Sequence, residues 1–279
     1  MANLMDDVGA VLDEAARKAN GDKAKTGIDL AEMSVAANYS LEGLNIKGNV
    51  PLEKLVAAVR RFRSGERRPD VDLPRLNILL HGPSGTGKTA FVRYLAREVD
   101  APLHVVRASD ILSKWIGESE KGVAKAFQMA REKNAILFLD EADSFFQSRD
   151  GADHSWEVTL TNEFLCQMEM FGGCLICSTN YVENFDTAAA RRFCFKIGFD
   201  YLTDNGKEHF FAAYFKTPLA TAEKLRLQAI DRLAVADFRT VKERVFYLSD
   251  GETNEERLAA LEEEVAAKGK VCAAIGFNR

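Results

Sequence analysis

The chain has 279 residues, 47% of them apolar and 28% charged, enough to bury a core in one large or two smaller domains. A formal net charge of −5 argues against a dedicated nucleic-acid surface, and an odd count of five cysteines makes no disulfide framework, which points to a reducing cytoplasm. No apolar run approaches the ~20 residues that a membrane span needs.

In chain order, the first stretch carries Asp6, Asp7, Asp13 and Glu14, with Leu4, Val8, Val11, Leu12 and Ala15 at helical spacing. That predicts an acidic amphipathic helix rather than a signal peptide, its apolar stripe packed on the body or docked on a partner. Gly21 to Gly27 reads as a loop, and the stretch to Ile46 has no firm period, so residues 1–46 form a leader. Leu52, Leu55, Val56, Val59 and Phe62 mark an amphipathic helix, and the polar, basic segment Arg60–Asp72 is a surface connection.

From Leu76 strand and helix alternate. Strands are predicted near 76–81, 103–106, 135–140, 173–178 and 194–198, and helices near 88–99, 119–132 and 156–170. Runs such as Ala135-Ile136-Leu137-Phe138-Leu139 are apolar throughout, as in a parallel strand covered on both faces. The fold class is therefore α/β, a doubly wound five-stranded parallel sheet over residues 47–200. Residues 206–216, 221–233, 237–248 and 253–268 read as helices, a small helical lid domain over 201–279. Cys174 and Cys177 form a CxxC, but Leu175 and Ile176 between them make it a piece of buried strand.

The chemistry begins at residues 82–89, GPSGTGKT, between a predicted strand and a predicted helix. Gly82, Gly85 and Gly87 permit backbone conformations that a Cβ obstructs. The N–H groups of Pro83's neighbours Ser84, Gly85, Thr86 and Gly87 can then converge on phosphate oxygens, with a helix N-terminus behind them. Lys88 reaches the β- and γ-phosphates of ATP, and Thr89 holds Mg²⁺.

Asp140-Glu141 ends the 135–139 strand. The aspartate can complete the Mg²⁺ site, and the glutamate can take a proton from an attacking water. Ser178-Thr179-Asn180 follows another apolar strand and offers a polar side chain at the same edge. Arg191-Arg192 precedes a strand, so the pair caps a helix and faces away from its own nucleotide; an arginine there can serve a neighbouring subunit. Lys114, Trp115, Ile116 and Gly117 put a bulky apolar pair beside a glycine in a charged loop, which suits a mobile gripping segment.

In this order and spacing these pieces resemble the AAA+ superfamily of ring-forming ATPases. Within it they look most like the AAA clade that includes katanin, spastin and the membrane-anchored AAA proteases. The resemblance covers roughly residues 76–248. GPSGTGKT matches Walker A, and ILFLDEAD matches Walker B with Glu141 as catalytic glutamate. CSTN matches the sensor-one strand with Asn180, SKWIGESEK the first pore loop, and NFDTAAARRF the arginine-finger segment with Asp186 ahead of Arg191 and Arg192.

The resemblance implies ATP bound at subunit interfaces, hexamers, and polypeptide pulled through a central pore by Trp115. It makes Arg149–Trp156 a second pore loop containing His154, and it puts Arg239 where other AAA+ groups carry a sensor-two arginine. No HExxH protease signature follows. The short leader points to a separate adaptor for protein substrates. The expected function is a cytoplasmic ATPase that remodels, unfolds or disassembles protein. The alternatives are a nucleic-acid motor or loader, and a nucleotide-dependent switch or scaffold working through residues 1–46.

Overall fold

The computed structural model describes residues 40–65, 75–111, 118–146, 155–181, 187–248 and 253–274. Among these, six strands form one sheet: β1 (Asn45–Gly48), β2 (Leu76–His81), β3 (Leu103–Arg107), β4 (Ile136–Asp140), β5 (Cys174–Thr179) and β6 (Phe195–Asp200). Their order across the sheet is β1-β6-β2-β5-β4-β3. The five strands expected from the sequence are present and parallel to their neighbours. A sixth, β1, adds to the edge antiparallel to β6, with Asn45 opposite Asp200 and Gly48 opposite Ile197. It straddles the expected end of the leader, and its four residues are too few to show a period.

Alternation of side chains explains the apolar runs. Leu79, Leu137, Leu139, Leu175 and Cys177 face one layer, made by helices α4 (Glu118–Glu132) and α5 (Ser155–Met170). Ile78, Leu80, Ile136, Phe138 and Ile176 face the other, made by α1 (Leu52–Arg63) and α2 (Lys88–Glu98). Each central strand is thus buried on both faces. Cys174 and Cys177 lie inside β5, and burial pushes the Cys174 thiol up to about 12 and raises that of Cys177. They are packing residues.

Two short helices, α3 (Ala108–Ile111) and α6 (Thr187–Ala190), complete the α/β body. The lid has its own core, in which Phe210 and Phe211 of α7 (Asp204–Phe215) meet Leu227 of α8 (Thr221–Gln228). Phe238 and Val241 of α9 (Val235–Leu248) and Leu258 and Leu261 of α10 (Asn254–Ala274) close it. Helix α7 starts two residues earlier than the apolar pattern suggests, because Thr203 caps it by accepting the Gly206 N–H. The helix expected over 221–233 stops at Gln228. There the Leu202 N–H takes the Leu233 carbonyl at 2.9 Å, and Arg232 turns left-handed at φ +55°, so residues 229–234 become a tie between β6 and the lid.

In the first layer Phe164 contacts Phe127, Phe145 and Phe146, with ring centroids 4.9–5.5 Å apart. Phe164→Ala should cost about 3–5 kcal/mol in chemical denaturation, with an unchanged denaturant slope if the fold survives.

Candidate functional site

Strand order makes the site. The chain leaves β2 for the far edge at β3 and returns through β4 to β5, so β2 and β5 lie side by side with their C-terminal ends level. His81 pairs with Thr179, and Leu139 of β4 pairs with Cys177 of β5. In open parallel sheets ligands sit outside that carboxyl edge.

Beyond His81 the chain turns through Gly82–Gly87 into α2. Gly82 adopts φ +129°, and a Cβ there would stand 1.8 Å from the Phe199 carbonyl oxygen. No other residue fits so close an approach. The Gly82 N–H donates to the Thr179 carbonyl at 3.2 Å, which pins the loop to the end of β5. The Thr86 hydroxyl donates to the Pro83 carbonyl at 2.8 Å and closes the loop on itself. Ser84 is exposed.

Lys88 opens α2 and is only 7% exposed. Its Nζ donates to Gly82 O at 2.7 Å, Pro83 O at 2.9 Å and Asn180 Oδ1 at 2.8 Å, one acceptor for each ammonium proton. Burial lowers its pKa to about 8, against an upward pull from Asp140 and Asp143. Half-buried His81, beside it, is lowered first by burial and then by the Lys88 charge.

Asp140 is the centre of the polar network. Its Oδ2 accepts the Thr89 hydroxyl at 3.0 Å. Its Oδ1 accepts the Ser178 hydroxyl, and also the Glu141 N–H at 3.2 Å. Glu141 is exposed and left-handed, at φ +59°, a region that few non-glycine residues adopt, although Asp100, Asn134, Lys216 and Arg232 share it here. The Asn180 N–H leans on Asp143 Oδ1 at 3.4 Å. Neither Asp143, which closes the Asp140-Glu141-Ala142-Asp143 run, nor Ser178 has a role of its own in the sequence reading.

The hydroxyl of Thr89 beside the carboxylate of Asp140 is a pair of hard oxygen donors, the set that suits Mg²⁺. Among the described residues no cluster of three or more His, Cys, Asp or Glu stands ready for a metal. A cation held by this pair would need its remaining ligands from elsewhere, such as phosphate and water.

The other expected residues lie elsewhere. Arg191 and Arg192 sit near the opposite, N-terminal half of β2, where Asn77 Nδ2 donates to the Arg192 carbonyl at 3.1 Å. Arg192 grips Glu169 through Nε at 3.0 Å and Nη2 at 2.6 Å. Arg191 is exposed and makes no hydrogen bond or ion pair with a described residue. Arg239 is also exposed; it pairs with Glu243 one turn along α9 at 2.9 Å and takes no part in the network. Lys114, Trp115, Ile116 and Gly117 lie outside the described residues, as do Asp186 and residues 149–154.

Residues 78–201 match the family described as "ATPase family associated with various cellular activities (AAA)". Over 126 residues the chain is 39% identical to vacuolar protein sorting-associated protein 4 of Dictyostelium discoideum, covering 43% of this chain and 28% of that protein. Over 204 residues it is 35% identical to SUPPRESSOR OF K(+) TRANSPORT GROWTH DEFECT 1 of Arabidopsis thaliana, covering 69% and 46%. Over 138 residues it is 37% identical to fidgetin-like protein 1 of Caenorhabditis elegans, covering 46% and 23%. The chain thus spans less than half the length of these curated relatives.

A phosphate docked among the loop amides would restore the proton that burial lets Lys88 lose above about pH 8. Binding of MgATP should therefore take up protons in that range, and its affinity should fall by up to about tenfold per pH unit once the free loop titrates. Calorimetry in two buffers of different ionisation enthalpy, on either side of that pH, measures both effects.

Proposed function

We propose that this chain, a member of the AAA family through the domain at residues 78–201, hydrolyses MgATP at a face shared with a second copy of itself and uses the cycle to remodel protein. The observation that carries this reading is a pair of hydrogen-bonded groups at one sheet edge, Lys88 with Asn180 and Asp140 with Thr89 and Ser178, with Glu141 exposed beside them.

In this reading the loop amides and the α2 N-terminus receive the phosphates, and Lys88 exchanges carbonyl acceptors for β- and γ-phosphate oxygens. Thr89 and Asp140 hold Mg²⁺, which neutralises phosphate charge when bound. Glu141 accepts a proton from water as the water oxygen bonds to the γ-phosphorus; the bond to the β–γ bridging oxygen breaks, leaving ADP and inorganic phosphate. Asn180, already hydrogen-bonded to Lys88, lies where it can bond the γ-phosphate.

The arginine pair divides its work. Arg192 spends its guanidinium on Glu169 within its own subunit, which leaves exposed Arg191 as the group that reaches a neighbour's phosphate. A hexameric ring is the assembly that fits such sharing, with Lys114–Gly117 as a pore loop, Trp115 as its grip and an adaptor supplying substrate. Thiols buried in β5 suit a reducing cytoplasm. The net charge of −5 weighs against nucleic acid as the cargo.

Glu141→Gln should bind MgATP, lose at least about 10²-fold in turnover and shift in mass to a multi-subunit assembly on adding nucleotide. A monomer with and without nucleotide would remove the shared site. Arg191→Ala should lower turnover of the assembled protein by about 10³-fold without weakening ATP binding, a larger loss than Arg192→Ala. Trp115→Ala should retain basal ATPase and lose substrate remodelling; remodelling that survives would sink the threading idea.

A further inference from the structure

Helix α9 meets the phosphate loop at one backbone bond. The first turn of any helix has N–H groups without partners inside the helix. One of those in α9, the Ala236 N–H, donates to the Gly85 carbonyl at 3.0 Å. Contact is close on the side-chain side as well, since a Cβ at Gly85 would come 3.0 Å from that of Ala236. The peptide between Gly85 and Thr86 is trans, so its C=O and N–H point in opposite directions. Drawing the Gly85 carbonyl towards α9 therefore fixes the direction of the Thr86 N–H, one of the amides available to phosphate.

Something must hold the start of α9 in place. Ala234, just ahead of the helix, has no side-chain oxygen with which to cap it. Asp237 supplies the oxygen from within the first turn, where Oδ2 accepts the Ala234 N–H at 2.8 Å. Asp237 is only 2% exposed, and a carboxylate so buried requires a partner. Its Oδ1 receives Lys268 Nζ of α10 at 2.5 Å. The Lys268 side chain is 38% exposed, whereas that of Asp237 is 3% exposed.

We infer that Lys268 is a positioning residue for nucleotide. It acts through Asp237, which sets the first turn of α9, which in turn sets the Gly85–Thr86 peptide. The last described helix of the lid thereby tunes the affinity of a loop in the other domain. The inference rests on the reading of that loop as an ATP site.

The test uses the full chain with Lys268→Ala and Lys268→Arg. Amide exchange at Ala236, measured without nucleotide, should quicken about tenfold in Lys268→Ala and stay near wild type in Lys268→Arg. The Kd for MgATP should rise about fivefold or more in Lys268→Ala and be restored by Lys268→Arg. A Lys268→Ala protein with a lowered melting temperature but unaltered Ala236 exchange and MgATP affinity would overturn the inference, leaving Lys268 as a fastener of α10 alone. A wild-type chain that binds no MgATP would overturn the functional reading, while the exchange data would still decide whether α10 controls the contact with Gly85.

Discussion

Asp140 is the constraint on which the rest of the site depends. One carboxylate joins the helix after the phosphate loop, through Thr89, to the end of β5, through Ser178, and to the turn after its own strand, through the Glu141 N–H. Two oxygens offer about four acceptor positions, and three are in use. Because Thr89 and Ser178 lie 51 and 38 residues from Asp140, they meet it only if β2, β5 and β4 stand adjacent and in register. The sheet order is what brings them there. A cation entering beside Thr89 meets a carboxylate whose position is already fixed, so little ordering entropy remains to be lost on binding.

Lys88 shows the opposite side of the same arrangement. Its charge is removed from water and satisfied by two loop carbonyls and one amide oxygen, weaker partners than phosphate. Burying that cation carries a cost, expressed in the lowered pKa. A polyphosphate bound there would recover that cost, adding to affinity without adding contacts. Left-handed Glu141 stores strain beside it in a similar way, and the network around Asp140 is what holds that strain in place.

Much of this was readable in the sequence, and for identifiable reasons. Strands β2, β4 and β5 are covered on both faces, so their apolar runs are continuous. The glycines of the loop answer to a steric demand that Gly82, against the Phe199 carbonyl, displays directly. What stayed hidden was long-range. β1 is four residues of weak pattern whose existence depends on an open edge of β6. The break after Gln228 comes from a backbone bond between Leu233 and Leu202, and the tie between α9 and Gly85 comes from a backbone amide. No side chain advertises such bonds, so pattern reading has nothing to find. The two adjacent arginines were alike until Glu169 distinguished them.

The short strand at the sheet's border has a consequence for the protein as a colloid. Any open sheet ends in unpaired N–H and C=O groups that invite a strand from another molecule. Here β6 is not that border; β1 covers it, running the other way and lasting only four residues. It carries Lys47, whose side chain lies 71% exposed beside Asp200. As an ion pair in water this contributes little to stability. As a charge on a brief, antiparallel rim it discourages edge-to-edge stacking, so that copies of the chain are less prone to coalesce through their sheets.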